Sequence, residues 1–504
     1  MSSTANVGLS LPLLAGRNYH CQCGKPVFFR NSQCLACGTP LGYDCERGTL
    51  LPLMQGRDAG TWLEWNAAYA PNVAPPVDAQ PPDLHSIPNQ ESSQEFDQSK
   101  LDKTGSPGNA QQQQQQQEQS TDPQTSAPLS QSQPQPQPQA LGLPEFQPQM
   151  SPPYDVQDFQ DVQAVQPVQS FQDQNNFADN NFAPPESAVQ GFLYKRCQNL
   201  STPASCNWLL SIDDSHAMCR ACRLNRTIPD LTNPDQPDNG YFWGLIELAK
   251  RRLVSALILL KLPVASRMSE DSQRGLMFDF LRSQNNGLHI LTGHDTGLIT
   301  LNVDEADDVK REAVRKALHE PYRTLLGHFR HEVGHYYWDR LVSYTPWMNG
   351  FRNLFGDETQ NYAQSLQRNY QQGPPLHWRE HFVSAYASAH PWEDWAECWA
   401  HYLHMRDTVD TAASFGLTPE HFHLEFTPFD ISAFWQPTHP EAESFLAFLN
   451  HWTRLTTMLN EMSRSMGQPD FYPFVLPLKV VAKLHFIHLL VTAEGGFPPE
   501  DLSH

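Results

Sequence analysis

The sequence predicts an α+β protein: a mainly helical domain set behind a small, cysteine-stapled head. Three observations predict it. Eight of the ten cysteines fall in two clusters ahead of residue 223, apolar residues recur at helical spacing from residue 240 onward, and two short alternating runs near residue 300 look like a hairpin. At 504 residues the chain is long enough for two or three domains.

Its composition divides it further. Residues 71–190 hold 28 Gln and 15 acidic residues against two lysines and no arginine, so this stretch supplies −13 of the −21 net charge. It contains QQQQQQQEQ and QPQPQPQ, a composition that buries too little apolar surface to offset the entropy of ordering. Residues 75–188 are therefore expected to be a disordered Gln/Pro-rich insertion. The other 384 residues carry only −8 and enough apolar side chains for a core. An acidic chain of this kind disfavours wholesale nucleic-acid binding, although a local basic face stays open. The longest apolar run, SALILL at 255–260, is far short of the roughly 20 residues a membrane helix needs. The first residues lack the basic start and sustained apolar stretch of a secretory signal, so a cytoplasmic protein without a membrane partner is expected.

The first cysteine cluster, within residues 18–70, is Cys21-Gln-Cys23 with Cys34-Leu-Ala-Cys37-Gly. Two close pairs let two tight turns present four sulfurs to a tetrahedral Zn²⁺, as in a zinc ribbon. The second, within residues 190–235, is Cys197, Cys206 and Cys219-Arg-Ala-Cys222, with one such pair. In a reducing compartment metal is favoured over disulfides, and four thiolates make a structural site with no open position. One or two structural zincs are expected, with His20 or His216 able to replace a thiolate. Cys45 and Cys398 are read as packed residues. Lys195, Arg196, Arg220, Arg223, Arg226 and Lys250–Arg252 surround the second cluster, a concentration of charge expected to be a solvated face.

Residues 240–495 form the helical domain. A helix over 240–262 is stopped by Pro263, a further helix is expected over 269–283, and HILTG with LITLNV (289–303) suggests the hairpin. An acidic start at Asp304, Glu305 and Asp307 opens another helical stretch, interrupted by Pro321. The next helix, about 322–342, carries His331-Glu332-Val333-Gly334-His335. Residues four apart share a helix face, so both imidazoles can grip one metal while Glu332 stands beside it. A catalytic zinc needs a third protein ligand. In HPWEDWAECWAHYLH (390–404), Pro391 opens a helix on which Glu393, Glu397 and His401 stack at intervals of four. His377, His381, His390, Asp357 and Glu358 are weaker candidates. Aromatic and leucine residues from Phe445 to Leu459 are read as core on C-terminal helices, with His485 and His488 packed or exposed.

Glu393-Asp-Trp-Ala396-Glu397 resembles the third-ligand segment of gluzincins. That resemblance implies Glu393 as ligand, Glu397 hydrogen-bonding a metal-bound histidine, and Tyr386, seven residues before Glu393, as a donor to the developing oxyanion; Glu397 as the ligand is the competing assignment. With CGKPVFFRNSQCLACGTPLGYD, CRACRLNRTIPDL, HFRHEVGHYYWDRLV and FGDETQNYA, the wider chain resembles a mostly bacterial family of zinc-binding metallopeptidases with an N-terminal zinc-ribbon region. The implied fold is a zincin-like metallopeptidase domain behind the ribbon. The implied activity is hydrolysis of a peptide or protein substrate: Zn²⁺ on His331, His335 and Glu393 activates a water, with Glu332 as general base. An edge strand such as 298–303 would pair with the substrate. The competing function is a non-catalytic, zinc-stabilised binding or scaffold protein that uses the cysteine clusters for recognition.

Overall fold

The computed structural model describes residues 11–66, 192–283, 290, 292–317 and 320–493; the Gln/Pro-rich insertion expected over 75–188 lies outside the described residues. In the head, β1 (Tyr19–His20) pairs antiparallel with β2 (Pro26–Val27). A five-stranded antiparallel sheet follows in the order β3 (Leu41–Asp44), β4 (Thr49–Gln55), β5 (Trp62–Glu64), β6 (Leu193–Arg196) and β7 (Leu209–Ser211). The two cysteine-bearing segments therefore share one sheet, joined where Leu63 of β5 stands opposite Leu193 of β6. Tyr43 also bridges to Trp208, which brings the first strand against the last. Both rings are fully buried, 5.3 Å apart between centroids, and form the centre of the head's core.

After β8 (Asn225–Thr227) comes α1 (Asn239–Leu259), which buries Phe242, Trp243, Ile246, Leu253, Val254 and Leu257 and ends before Pro263. The expected helix over 269–283 is not formed. Its second half is instead β9 (Met277–Leu281), and the reason lies in packing. Phe278 and Phe280 are completely buried and meet Phe329 edge-on at 5.6 and 6.2 Å. A short apolar run buried on both faces reads alike as strand or helix, and here tertiary contact decides.

The hairpin consists of β10 (Gly293–Asp295) and β11 (Leu298–Asn302), in a second sheet of order β10-β11-β9-β8. The turn falls at Thr296-Gly297, where both residues have positive φ, and His294 and Asp295 lie in β10. β11 pairs with β10 on one side and runs parallel to β9 on the other. It is an interior strand, which corrects the expectation of an edge at 298–303; among the described residues the outer strand beside it is β10.

The remaining elements are helices: α2 (Asp308–Ala317), α3 (Leu325–Tyr337), α4 (Met348–Phe355), α5 (Tyr362–Gln372), α6 (Pro391–Ser414), α7 (Ala442–Ser465) and α8 (Leu478–Thr492). Thr324 caps α3 through Gly327 N–H at 3.0 Å, and a π-helical turn over Trp338–Val342 continues it, so the helix expected over 322–342 is made of two parts. Pro391 occupies the first turn of α6, and the His390 ring accepts from Trp392 N–H at 3.1 Å. Helices α3 and α6 pack closely because Gly334 has no side chain: a Cβ there would lie 3.0 Å from Ala396 Cα. Asp407 of α6 accepts from Arg330 of α3, Arg252 of α1 and Arg17 ahead of β1, each at 2.9 Å, which ties three segments to one buried carboxylate. Among the described residues no helix is long and apolar enough to cross a membrane.

Candidate metal centre

The crossing of α3 and α6 creates the site. His331 and His335 project from one face of α3, and α6 brings Glu393 against them, its side chain 1 % exposed. Nε2 of His331 lies 3.0 Å from Oε2 of Glu393, and Nε2 of His335 lies 3.7 Å from Oε1. The three potential ligand atoms lie within 4.8 Å of one another. One turn along α6, Oε1 of Glu397 meets the opposite nitrogen of His331, Nδ1, at 2.8 Å, and its Oε2 accepts from Ser384 Oγ at 2.6 Å. Glu397 therefore stands behind His331, on the side away from the cluster, and does not join it as the competing ligand assignment required.

The electrostatics follow from burial and these partners. Burial pushes the Glu393 carboxyl up, but His335, His331 and Tyr362 together outweigh it and hold it at about 2. Burial lowers His335 to about 3, leaving it neutral, the form that ligates metal. His331 moves the other way: burial opposes its charge, yet the two carboxylates flanking it raise it well above its ordinary value. Glu332 is raised by burial to about 7, the nearby His331 charge only partly opposing the rise. The Tyr386 ring lies 6.0 Å from that of His331, and burial together with the Glu393 charge keeps its phenol protonated.

Three neighbours escaped the sequence reading. Tyr362, the first residue of α5, donates to Oε1 of Glu393 at 2.6 Å. Its helix is signalled by Asn361, whose side chain accepts from Gln364 N–H, but no spacing rule links residue 362 to residue 393. His294 on β10 stacks over His335 with ring centroids 6.1 Å apart, and its Nε2 accepts from Gly297 N–H at 2.9 Å. Ser384 reached the site only through the loop before α6. The weaker candidates have other partners: His390 caps α6, Glu358 pairs with Arg352, Asp357 accepts from Thr359, and His377 lies beside Glu380. His401 bonds the Tyr472 hydroxyl at 2.6 Å, His485 and His488 are packed in the core, and His381 is exposed.

Each cysteine cluster gathers four thiols. Cys21, Cys23, Cys34 and Cys37 form one, with sulfur separations of 3.6 Å for Cys21–Cys37 and 3.8 Å for Cys23–Cys34; Cys197, Cys206, Cys219 and Cys222 form the other, with 3.6 Å between Cys206 and Cys219. A disulfide needs about 2.05 Å, whereas four sulfurs each about 2.3 Å from one zinc stand about 3.8 Å apart. The residues thus fit zinc. His20 and His216 take no part in either group; His216 is bonded to Asp214 at 2.8 Å. Cys45 and Cys398 are buried away from both. The basic residues around the second cluster are paired: Arg223 with Asp214 and Glu270, Arg252 with Asp407, and buried Lys250 and Arg251 with Glu247, while Arg220 with Glu46 and Arg226 with Asp279 stay partly in solvent, as expected of a solvated face. Lys195 donates to Asp214 O, and Arg196 lies over the Trp62 ring.

Comparison with known proteins agrees with this arrangement. Residues 239–490 match the family described as "Putative zinc-binding metallo-peptidase", and residues 18–72 with 160–233 match a zinc-ribbon domain. Uncharacterized proteins of Mycobacterium bovis and of two Mycobacterium tuberculosis strains are each 45 % identical over 301 residues, covering 58 % of this chain and 82 % of theirs. No solved structure matches. The chain belongs to this zinc-binding metallo-peptidase family, with a zinc-ribbon domain built from the two segments that precede the helical half.

Proposed function

We propose that the protein is a zinc-dependent peptidase whose catalytic metal is held by His331, His335 and Glu393. The observation that carries this reading is the convergence of these three side chains within 4.8 Å, with a carboxyl raised to about 7 on the intervening turn. Zinc, when bound, supplies a Lewis acid that polarises a peptide carbonyl and makes water a better nucleophile. Glu332 is the proton carrier: a carboxyl with affinity near neutrality can take the nucleophile's proton and pass it to the leaving amine. Tyr386 keeps its phenolic proton and donates to the negative charge that develops on the carbonyl oxygen. Glu397 orients His331 through Nδ1, and Ser384 fixes Glu397 in turn. Strand β10, outermost in its sheet among the described residues and carrying the His294 that stacks on His335, is where an extended peptide would add as a further strand. The two cysteine clusters hold structural zincs, and the ten free thiols suit a reducing, cytoplasmic setting.

The deciding experiment compares wild type with Glu332→Gln on a peptide library. Hydrolysis should fall by roughly 10²–10⁴-fold while total zinc stays constant. Full activity in the variant would remove the peptidase reading and leave the zinc-stabilised scaffold.

A further inference from the structure

Tyr362 stands at the N-terminus of α5, with its ring 5.2 Å from that of His390 and 5.9 Å from that of Trp392, the residues on either side of Pro391 just ahead of Glu393. These contacts aim the hydroxyl at one oxygen of Glu393, Oε1, at 2.6 Å. The other oxygen, Oε2, faces Nε2 of His331 at 3.0 Å, while Oε1 stands 3.7 Å from Nε2 of His335. A carboxylate 1 % exposed has almost no water to accept from, so its lone pairs are satisfied by what the protein brings to it. The two oxygens are thereby distinguished.

We infer that Tyr362 is a positioning residue: its hydrogen bond to Oε1 fixes how the Glu393 carboxylate is turned toward His331 and His335 and favours its service as a one-oxygen ligand. The inference rests on the reading that His331, His335 and Glu393 hold a metal. Its chemical sense is economy of coordination positions. A catalytic zinc works with three protein donors and one position left over. A carboxylate free to offer its second oxygen would crowd that position, and a hydrogen bond to the second oxygen prevents it. Tyr362 acts on Glu393 and not on substrate, which separates its role from that of Tyr386.

Tyr362→Phe tests this, since it removes the hydroxyl and keeps the ring against His390 and Trp392. Metal affinity is read by chelator competition on the full chain, and coordination by the visible spectrum after cobalt substitution. The hydrogen-bonded partner of a ligand is typically worth 10–100-fold in metal affinity, so a loss of about that size is expected at this site. The cobalt bands should weaken toward those of a higher coordination number, kcat should fall with KM unchanged, and the melting temperature of the metal-free protein should be unaltered. Wild-type affinity and an unchanged cobalt spectrum in Tyr362→Phe would overturn the role of the hydroxyl. His335→Ala, measured alongside, tests the metal reading itself: it should lower the zinc content by one per chain, and an unchanged content would overturn that reading and this inference together.

Discussion

Glu397 Oε1 lies 2.8 Å from Nδ1 of His331, so the imidazole is held from behind while Nε2 faces Glu393. Such a partner fixes both the ring orientation and the tautomer. Glu397→Ala should therefore weaken metal binding at this site by roughly 10–100-fold without touching a ligand. Chelator competition checks this, and an affinity equal to wild type would mean that packing alone orients the ring.

Gly334 is the point at which α3 and α6 touch. A methyl group there would meet Ala396 Cα at 3.0 Å and Trp399 Cβ at 3.3 Å, one of them backbone that cannot rotate aside. Gly334→Ala should cost about 1–3 kcal/mol by overpacking and should also loosen the grip of α6 on the histidines. A denaturant titration paired with zinc analysis measures both, and the two losses are expected to appear together.

The charge on Asp407 is stabilised by three guanidiniums. Burial pushes its carboxyl up, but Arg252, Arg17 and Arg330 outweigh it and hold it far below the ordinary carboxylate range. Because the folded-state affinity is depressed, the contribution is complete above the unfolded value of about 3.9 and is lost as pH falls below it. Asp407→Asn leaves three cations without their shared partner and should cost roughly 3–5 kcal/mol at neutral pH. The gap between variant and wild type should close as pH is lowered beneath about 4. A gap that does not vary with pH would show that shape, not charge, is the contribution.

The two cysteine clusters differ in access. Cys23 and Cys37 of the first are exposed, whereas all four thiols of the second are buried, and Cys222 Sγ lies 3.9 Å from buried Glu247 of α1. A coloured chelator should strip the first cluster quickly and the second slowly. The fast phase should vanish in Cys37→Ser and persist in Cys219→Ser. The second variant should also lower the melting temperature more, because its cluster is packed on the helical half of the chain.

Much of this was legible in the sequence, and what was not has physical causes. The i, i+4 histidines, the start of α6 at Pro391 and the Glu393–Glu397 stack depend on helical periodicity, which is local. The thiol groups could be recognised from paired spacing. β9 could not be told from a helix, because MFDFL has no periodicity of its own and its form is set by burial against Phe329. The interior place of β11 depends on a parallel partner, and strand neighbours separated by crossovers leave no trace in either strand. Tyr362 belongs to the same class: it meets Glu393 through the fold, from 31 residues away.

Leu63 of β5 stands opposite Leu193 of β6, so the sheet beside the two cysteine clusters is assembled from two stretches of chain distant in sequence. Each stretch offers the other a strand edge, and the register of this one pair sets how the two halves of the ribbon meet. The head is a lock made of two parts, and neither part completes its sheet without the other.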